Sequence, residues 1–389
     1  MMHITNDIRY VGVNDHELDL FEGLYAIPNG MAYNSYVILD EQIAVMDAVE
    51  HRFGDQWLSD IAQTLQGRKP QFLIVQHMEP DHSASIARFM TAYPDAIVVA
   101  SAKAFPMMKA FFGDDYPHRR MIVKDGDRLC LGSHTLSFIA APMVHWPEVI
   151  MTVDQTDHVL FSADAFGKFG ALDIHEDWAC EARRYYFGIV GKYGMQVQNV
   201  LKKVSALGIE IICALHGPVL KGEPLQEALR LYDIWSSYRP ESSGVVIACA
   251  SVYGNTASAA QKLSEALTAK GISTRLYDLN RCDLSEVVED AFRYDRLVLA
   301  SPTYNADVFP PMRTFLHALI ERGYRNRTIG LIENGSWAPM AAKVMQEMLA
   351  GSKGITILEP IVRIQSALNE DSAAQLAALA QELTHHPLA

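Results

Sequence analysis

The chain has 389 residues, of which 49% are hydrophobic, and its formal net charge is −13. The length allows two or three domains, and the acidic charge, without a basic run interleaved with aromatic residues, argues against nucleic acid as a partner. No apolar stretch approaches the roughly 18 residues of a membrane helix and no signal peptide is evident, so we expect a cytoplasmic protein without a membrane partner.

The first elements read from the sequence are two short β-rich runs, which we expect to pair as a hairpin. Glu50 and His51 follow this hairpin, and they either relay protons in a substrate pocket or lie in a solvated loop. Hydrophobic periodicity then predicts an α/β order for the N-terminal half. Its predicted strands are 36–39, 43–47, 72–75, 96–99, 128–131 and 135–139, and its predicted helices are 56–65 and 83–90.

The apolar strand 72–75 is followed at once by a dense group of metal-ligating side chains. His77, Glu79, Asp81 and His82 fall within six residues. A buried strand that ends in a loop presents such residues at the rim of a sheet. Because so many polar groups are costly to bury without a cation, we predict a metal site here.

Three later polar residues, His145, Asp164 and His216, also stand just past apolar runs. They can gather at one rim if their strands end on the same side of a layered fold, and Gly167 and Gly217 would let the backbone turn sharply there. Each alone is as readily an ordinary surface or core residue. Together they complete a set of four His and three carboxylates, which suits two metal ions. Imidazole accepts zinc or iron, and each added carboxylate favours iron or manganese.

This pattern resembles the metallo-β-lactamase fold as modified in flavodiiron proteins. Hydrolases of that fold usually carry His where Glu79 stands, whereas a carboxylate accompanies the non-haem di-iron centre of flavodiiron proteins. The resemblance implies an N-terminal αββα sandwich. It also implies one iron on His77, Glu79 and His145, a second iron on Asp81, His82 and His216, and Asp164 as the bridge between them.

A segment rich in turn formers, 236–244, separates this half from a second pattern. We place the boundary there and predict a di-iron domain over 1–240 and an FMN-binding domain over 245–389. Alternating strands and helices in the second domain imply a doubly wound parallel sheet, flavodoxin-like, in which a ligand binds beyond the strands' C-terminal ends. The strands are predicted over 245–250, 273–279, 296–300, 328–332 and 355–358, and the helices over 257–270, 284–292, 311–323, 338–350 and 370–386.

Three loops at the ends of these strands resemble the flavin loops of flavodoxins. The first leads into a helix and can hold a phosphate through backbone N–H groups, without the Lys of a Walker loop or the glycine pattern of a dinucleotide fold. Tyr304 and Trp337 can sandwich a flat ring. Together the loops predict FMN binding by Ser251, Tyr253, Gly254, Asn255, Thr256, Pro302, Thr303, Tyr304, Asn305, Asn334, Gly335, Ser336 and Trp337.

The five cysteines are odd in number, far apart in the chain and without a Cys-x-x-Cys pair for zinc, an iron–sulfur centre or a rubredoxin-type iron. We predict that they are small buried hydrophobic residues in a reducing compartment. They are Cys130, Cys180, Cys213, Cys249 and Cys282.

The family resemblance extends over both halves in the family's domain order. It implies an oxidoreductase in which FMN passes electrons to the di-iron centre, which reduces dioxygen to water, nitric oxide to nitrous oxide, or both. It also implies a homodimer or homotetramer. Because the given sequence ends directly after the last predicted helix, we expect a separate electron-donor protein, such as a rubredoxin.

Two other functions stay open at this point. A zinc-dependent metallohydrolase would use a metal-bound hydroxide, and Glu79 and the flavin loops oppose that hypothesis. A flavodoxin-like electron carrier would use the first domain only for docking, and the complete ligand set opposes it. The ligands do not decide between dioxygen and nitric oxide, because both reactions use the same set.

Overall fold

The protein is described here by a computed structural model that covers residues 2–385. The chain divides into two compact units between Asp233 and Ile234. The domain bounds 1–240 and 245–389 read from the sequence stay a prediction. The strands of the N-terminal unit are β1 (Ile8–Tyr10), β2 (Val13–Asp15), β3 (Leu20–Phe21), β4 (Tyr25–Ala26), β5 (Met31–Tyr33), β6 (Tyr36–Ile38), β7 (Ala44–Met46), β8 (Phe72–Val75), β9 (Ile97–Ser101), β10 (Arg120–Val123), β11 (Arg128–Cys130), β12 (Thr135–Ala140), β13 (Ile150–Asp154), β14 (Val159–Phe161), β15 (Ile211–Cys213) and β16 (Leu220–Lys221).

Helices in this part of the chain alternate with the strands and include one π-helical turn, Tyr186–Val190. No helix within residues 2–385 combines the length and the apolar character needed to cross a bilayer. The α-helices are α1 (Gly54–Leu65), α2 (Pro80–Ser83), α3 (Ile86–Ala92), α4 (Ala104–Phe112), α5 (Trp178–Tyr185), α6 (Gly194–Val204) and α7 (Glu223–Ser236), and the 3₁₀ turns are His51–Phe53 and Gly191–Tyr193.

Two six-stranded sheets form the N-terminal unit, in the orders β1-β6-β7-β8-β9-β10 and β11-β12-β13-β14-β15-β16. Successive side chains of a strand point to opposite faces. In β8, Phe72 and Ile74 therefore join the core that both sheets share, whereas Leu73 and Val75 pack in a second core with Trp57 of α1. This is the αββα sandwich that the sequence predicts.

The direction of the strands sets where the candidate ligands meet. β12 and β13 are antiparallel, β13 and β14 are antiparallel, and β14 and β15 are parallel. Strands β12, β14 and β15 therefore run the same way and end at one edge of their sheet. The loops that follow them carry His145, Asp164 and His216.

The predicted hairpin is confirmed as β6–β7, and β11 and β12 pair as another antiparallel hairpin. The helix predicted over 83–90 corresponds to α3, which begins later, and the separate short helix α2 before it was not predicted. Pro80 fixes φ and lacks an N–H, which suits the first position of a helix. As a result, Asp81 and His82 lie in a helical turn rather than in the loop.

The C-terminal unit has a parallel sheet in the order β18-β17-β19-β21-β22, and the predicted flavodoxin-like doubly wound sheet is confirmed. The short strands β20 and β23 were not predicted, and residue His386 of the last predicted helix lies outside the described residues. The elements are β17 (Ser242–Cys249), α8 (Asn255–Ala269), β18 (Thr274–Asp278), α9 (Leu284–Arg293), β19 (Tyr294–Tyr304), β20 (Asp307–Val308), α10 (Pro310–Glu321), β21 (Arg327–Asn334), α11 (Ala341–Leu349), β22 (Ile355–Ile357), β23 (Val362–Ile364) and α12 (Glu370–His385).

The expectation of buried cysteines is confirmed for Cys213 and Cys249 and is wrong for Cys130 and Cys180, which are exposed. Cys130 lies on β11, an edge strand of its sheet, and points away from the core. Cys180 lies on the solvent side of α5. Spacing along the sequence does not reveal which face of an element a small residue occupies.

A buried imidazole–carboxylate pair fixes the turn between β13 and β14. His134 Nδ1 lies 2.9 Å from Asp154 Oδ2, and the Asp154 carboxylate also accepts the N–H groups of Thr156 and Asp157. Both members of the pair are buried. The hydrogen bond with Asp154 raises the pKa of His134 to about 9.

We predict that Asp154→Asn destabilises the fold by about 3 kcal/mol at mildly acidic pH, since each pKa unit corresponds to about 1.4 kcal/mol. The pKa of His134 is raised on folding, so this stabilisation is complete below about pH 6.5 and is lost as the pH rises through about 9. Urea unfolding of both proteins at about pH 6 and about pH 10 measures the difference.

The matched control is Asp173→Asn, which removes an exposed carboxylate 3.1 Å from His16. An exposed pair contributes little, so this variant should be close to wild type at both pH values. A difference between wild type and Asp154→Asn that does not shrink at high pH would contradict the assignment.

Candidate functional site

The structure brings the seven predicted metal-ligating residues together as two neighbouring groups. Within each group the candidate ligand atoms lie within 4.8 Å of one another. The first group is His77, Glu79, His145 and Asp164, and the second group is Asp81, His82 and His216.

The loops around these residues leave little space. Gly217 has a φ of +78°, and a Cβ there would lie 2.8 Å from Cγ of Lys168. The sharp turn expected at Gly217 is therefore confirmed. Gly167 closes a turn without a positive φ, because its N–H donates to the carbonyl oxygen of Asp164 at 3.0 Å. There is no room for a side chain at Gly167, because a Cβ there would lie 2.9 Å from the carbonyl oxygen of Asp164.

The carboxylate of Asp164 stands between the two groups. Its Oδ2 lies 3.3 Å from Nε2 of His77 and 3.0 Å from Nε2 of His145. Its Oδ1 lies 3.4 Å from Nε2 of His82 and 3.8 Å from Nε2 of His216. Each oxygen thus faces a different pair of imidazoles, which is the arrangement that lets one carboxylate serve two cations.

Each group also has a carboxylate of its own. Oε2 of Glu79 lies 3.3 Å from Nε2 of His77 and 3.0 Å from Nε2 of His145. In the second group, Oδ2 of Asp81 lies 3.1 Å from Nε2 of His82 and 3.3 Å from Nε2 of His216. Apart from Asp164, which faces both groups, each group therefore has two imidazoles and one carboxylate.

Burial and mutual charge strongly perturb these groups. Burial alone would raise the pKa of Asp164, but the charge of His77 and hydrogen bonds from neighbouring imidazoles hold that pKa well below its usual range. Burial lowers the pKa of His145, yet hydrogen bonds with Asp164 and Glu79 raise it to about 9. The buried carboxylates thus require positive charge beside them, and a metal ion supplies that charge when it displaces the imidazole protons.

The residues present fit metal ions. The carboxylate oxygens of Asp81 and of Asp164 are buried, and the polar atoms that approach them are imidazole nitrogens at 3.0 Å or more. Imidazole Nε2 atoms of His82 and His216 approach to 2.9 Å. Buried carboxylate oxygens set opposite converging imidazole nitrogens are typical of a metal site.

Side chains behind the ligands were not predicted. Nδ1 of His77 lies 2.8 Å from Oε1 of Glu148, and Nδ1 of His216 donates to the carbonyl oxygen of Ala32 at 2.7 Å. The buried Asn34 donates to the carbonyl oxygens at positions 214 and 217, at 2.9 and 2.8 Å. Nothing in the local sequence marks these residues, because they act through loops that meet only in the folded chain.

Two more polar side chains, Tyr185 and Glu22, lie near the metal-ligating residues of the N-terminal unit. Tyr185 ends α5, and its ring centre lies 5.4 Å from that of His216. Its hydroxyl is buried without a hydrogen-bond partner in the described chain, and burial together with the carboxylate charges raises its pKa well above the usual value. Glu22, in the β3–β4 turn, is near Glu79, and partial burial with the charge of Glu79 raises the pKa of Glu22 to about 7.

Glu50 has a local structural role. Its Oε2 accepts the backbone N–H of Arg52 at 2.8 Å as the cap of a 3₁₀ turn, and its Oε1 lies 3.0 Å from Nδ1 of His51. Arg52 in turn contacts the buried carboxylate of Asp15. None of the described hydrogen bonds joins Glu50 to the seven candidate ligands.

The C-terminal unit has a cavity of about 570 Å³ at the C-terminal ends of β17, β19 and β21. Of the predicted flavin-loop residues, only Gly254 is not part of its lining. Gly254 instead caps α8 with a φ of +88°, and its N–H donates to Oγ of Ser251 at 3.1 Å. The lining residues are Ser251, Val252, Tyr253, Asn255, Thr256, Pro302, Thr303, Tyr304, Asn305, Ala306, Asn334, Gly335, Ser336, Trp337, Ala338, Met340 and Ser366.

Ser366 brings a fourth segment to this cavity. Asn334 Nδ2 donates to the carbonyl oxygen of Ser366 at 3.1 Å, and the N–H of Ser366 donates to Oδ1 of Asn334 at 3.2 Å. The same Nδ2 lies 3.4 Å from Oγ1 of Thr256 in the first loop. Asn334 thereby ties the first loop, the third loop and the fourth segment together.

Large aromatic surfaces remain exposed at the rim of the cavity. Trp337 is 82% exposed and Tyr253 is 94% exposed. Exposed aromatic side chains around a concave site indicate a ligand with a flat apolar face. The cavity therefore fits a flavin ring with its phosphate on the loop before α8.

Two family models match the chain in tandem. The ODP family beta lactamase model matches residues 31–217, and the Flavodoxin model matches residues 247–378. The chain belongs to the flavodiiron protein family. The two matches support a metal site in the N-terminal unit and a flavin pocket in the C-terminal unit.

Individual relatives are similar to this chain over nearly their whole length. A nitric oxide reductase of Moorella thermoacetica is 29% identical over 93% of this chain and 92% of its own. A rubredoxin-oxygen oxidoreductase of Megalodesulfovibrio gigas is 26% identical over 98% of this chain and 96% of its own. The crystal structure of the flavodiiron protein from Giardia intestinalis, 24% identical, shares the fold with a TM-score of 0.88 over 98% of this chain and 96% of that one.

We predict that Trp337→Ala raises the dissociation constant for FMN about threefold to tenfold, because one stacked aromatic pair contributes about 0.5–1.5 kcal/mol. Quenching of FMN fluorescence by the flavin-free protein measures the constant. Phe111→Ala, which removes a half-exposed aromatic residue from the N-terminal unit, is the control and should bind FMN like wild type. Unchanged affinity in Trp337→Ala would remove that residue from the flavin pocket.

Proposed function

We propose that this protein is a flavodiiron oxidoreductase that reduces dioxygen to water, nitric oxide to nitrous oxide, or both, with electrons passed from FMN to a non-haem di-iron centre. The observation that carries the proposal is the position of Asp164, whose two oxygens face two matched groups of imidazoles and carboxylates. The names of the two relatives above, a nitric oxide reductase and a rubredoxin-oxygen oxidoreductase, support both gases as substrates.

In this proposal every candidate ligand has a role. One iron would be held by His77, Glu79 and His145, the other would be held by Asp81, His82 and His216, and Asp164 would serve both. Three carboxylates among seven ligands favour iron over zinc, and Glu79 is the carboxylate that hydrolases of the fold usually replace by His. When bound, two adjacent irons supply electrons and polarise a small diatomic molecule.

Residues around the proposed irons serve binding and proton supply. The neutral hydroxyl of Tyr185 is free to donate a hydrogen bond to a gas molecule in the pocket, since its raised pKa keeps the proton on the phenol at physiological pH. Trp146 packs its ring edge-on against His77, 5.2 Å between ring centres, and helps to keep water from that side. Glu22, with a pKa of about 7, is placed to hold a proton beside Glu79.

The proposed flavin is FMN, with its phosphate on the loop from Ser251 to Thr256 and its ring between Tyr304 and Trp337. When bound, FMN accepts electrons singly or in pairs. The electron donor in this proposal is a separate protein such as a rubredoxin, which the name of one relative supports. A homodimer or homotetramer would let the flavin of one copy serve the irons of another, and full turnover by a monomer at high dilution would contradict it.

Glu50 remains our candidate for a proton relay beside its capping role. If it relays protons, Glu50→Gln should remove one limb of the pH dependence of turnover while leaving iron and FMN contents unchanged. Glu17→Gln is the matched control, because Glu17 also contacts Arg52, at 3.7 Å, but is exposed. An unchanged pH profile in Glu50→Gln leaves this residue with its capping role alone.

The proposed function is tested with protein that has been loaded with iron anaerobically and reduced chemically. We expect about two irons and one FMN per chain, and consumption of dioxygen, nitric oxide or both. Asp164→Asn should lose iron and slow gas consumption by more than about 100-fold while it keeps FMN, because an amide binds cations weakly.

Asp290→Asn is the control for losing a buried carboxylate, and it should keep both irons, because Asp290 lies in the C-terminal unit. If the wild-type protein does not bind iron after anaerobic loading, the di-iron assignment is wrong. Zinc with ester or phosphodiester cleavage would establish the hydrolase, and iron-free protein with intact electron delivery would establish the electron carrier.

A further inference from the structure

The two candidate metal positions have matched ligands. Each has two imidazoles and one carboxylate of its own, and each faces one oxygen of Asp164. The ligand atoms alone therefore give no reason for one position to bind a metal more tightly than the other. Any difference between the positions must come from the groups that hold the ligands.

The carboxylate of Glu148 lies beside His77, a ligand of the first position, which is formed by His77, Glu79 and His145. Oε1 of Glu148 lies 2.8 Å from Nδ1 of His77 and accepts the backbone N–H of Met78 at 2.9 Å. Glu148 is 2% exposed. Its Oε2 is buried and has no hydrogen-bond partner within residues 2–385, so the Glu148 charge is directed to His77.

Within residues 2–385, neither imidazole of the second position has a carboxylate hydrogen-bonded to its Nδ1. Nδ1 of His216 donates to a neutral acceptor, the carbonyl oxygen of Ala32, at 2.7 Å. Nδ1 of His82 is buried and lacks a hydrogen-bond partner in the described part of the chain. The two imidazoles of the second position therefore lack the carboxylate partner that His77 has at the first position.

A carboxylate behind a ligating imidazole has two effects on metal binding. It fixes the tautomer, with the proton on Nδ1 and the lone pair of Nε2 directed to the metal, and it makes that lone pair more basic. A backbone carbonyl fixes the tautomer but adds no charge. Loss of such a supporting partner typically costs 10- to 100-fold in metal affinity.

We propose that Glu148 is a positioning residue for His77 and makes the position of His77, Glu79 and His145 the tighter of the two, so that this position fills first. This inference rests on the proposed two-metal site. It adds that the two positions bind metal in a fixed order and that Glu148 sets this order.

The probe is cobalt(II), added to the metal-free full-length chain and followed by visible absorption and by metal content after gel filtration. Wild type should show two unequal binding steps. His216→Ala impairs the second position and so reports on the first, whereas His145→Ala reports on the second. Adding Glu148→Gln to each should weaken cobalt binding 10- to 100-fold in the His216→Ala chain and leave the His145→Ala chain unchanged.

The matched control is Asp173→Asn, which removes a carboxylate that lies 3.1 Å from Nε2 of another His, His16, and belongs to none of the candidate ligand groups. This variant should leave both cobalt affinities unchanged. Equal weakening of both positions by Glu148→Gln would show a general structural role and overturn the proposal.

Two equal binding steps in wild type would also overturn the proposal, and this measurement does not depend on whether the Glu148 variant folds. A folded wild type that binds FMN but no cobalt would instead refute the metal site itself. The two failures are therefore distinguishable.

Discussion

The structure depends on balancing charge in a space that is nearly closed to water. Four imidazoles and three carboxylates converge there, and His77, His82, Asp164 and His216 have no measurable exposure. Isolated buried charges are too costly to keep, so such groups must neutralise one another or hold cations. Asp164 is the centre of this balance because it is the one carboxylate that faces both groups of imidazoles.

The backbone is arranged to meet this constraint. Strands of the second sheet that run in one direction deliver three of the ligands to one edge. The other four follow β8 of the first sheet, two in the loop after it and two in α2. The ligand loops are then fixed by Asn34, Glu148 and the close approach at Gly217. A rigid sandwich thus holds charged side chains at distances that a flexible loop would not maintain.

Much of this site is readable from the sequence because its signals are local. His77 to His82 form a dense cluster, and three more ligands each follow an apolar strand, so their convergence follows from the α/β order. The flavin loops are readable for the same reason. Glu148, Tyr185 and Ser366 carry no such signal, because each reaches its site through contacts between distant parts of the chain. The helix break after Ser83 and the exposure of Cys130 and Cys180 depend on packing that periodicity does not reveal.

The central claim is that one carboxylate bridges two irons, and Mössbauer spectroscopy of the protein loaded with iron-57 tests it most directly. The account predicts iron in two equal populations that are magnetically coupled in the oxidised protein, and it predicts that any iron kept by Asp164→Asn, which should lose most of its iron, shows no coupled pair. Isolated high-spin ferric iron in the wild-type protein, without coupling, would contradict a bridged pair at Asp164.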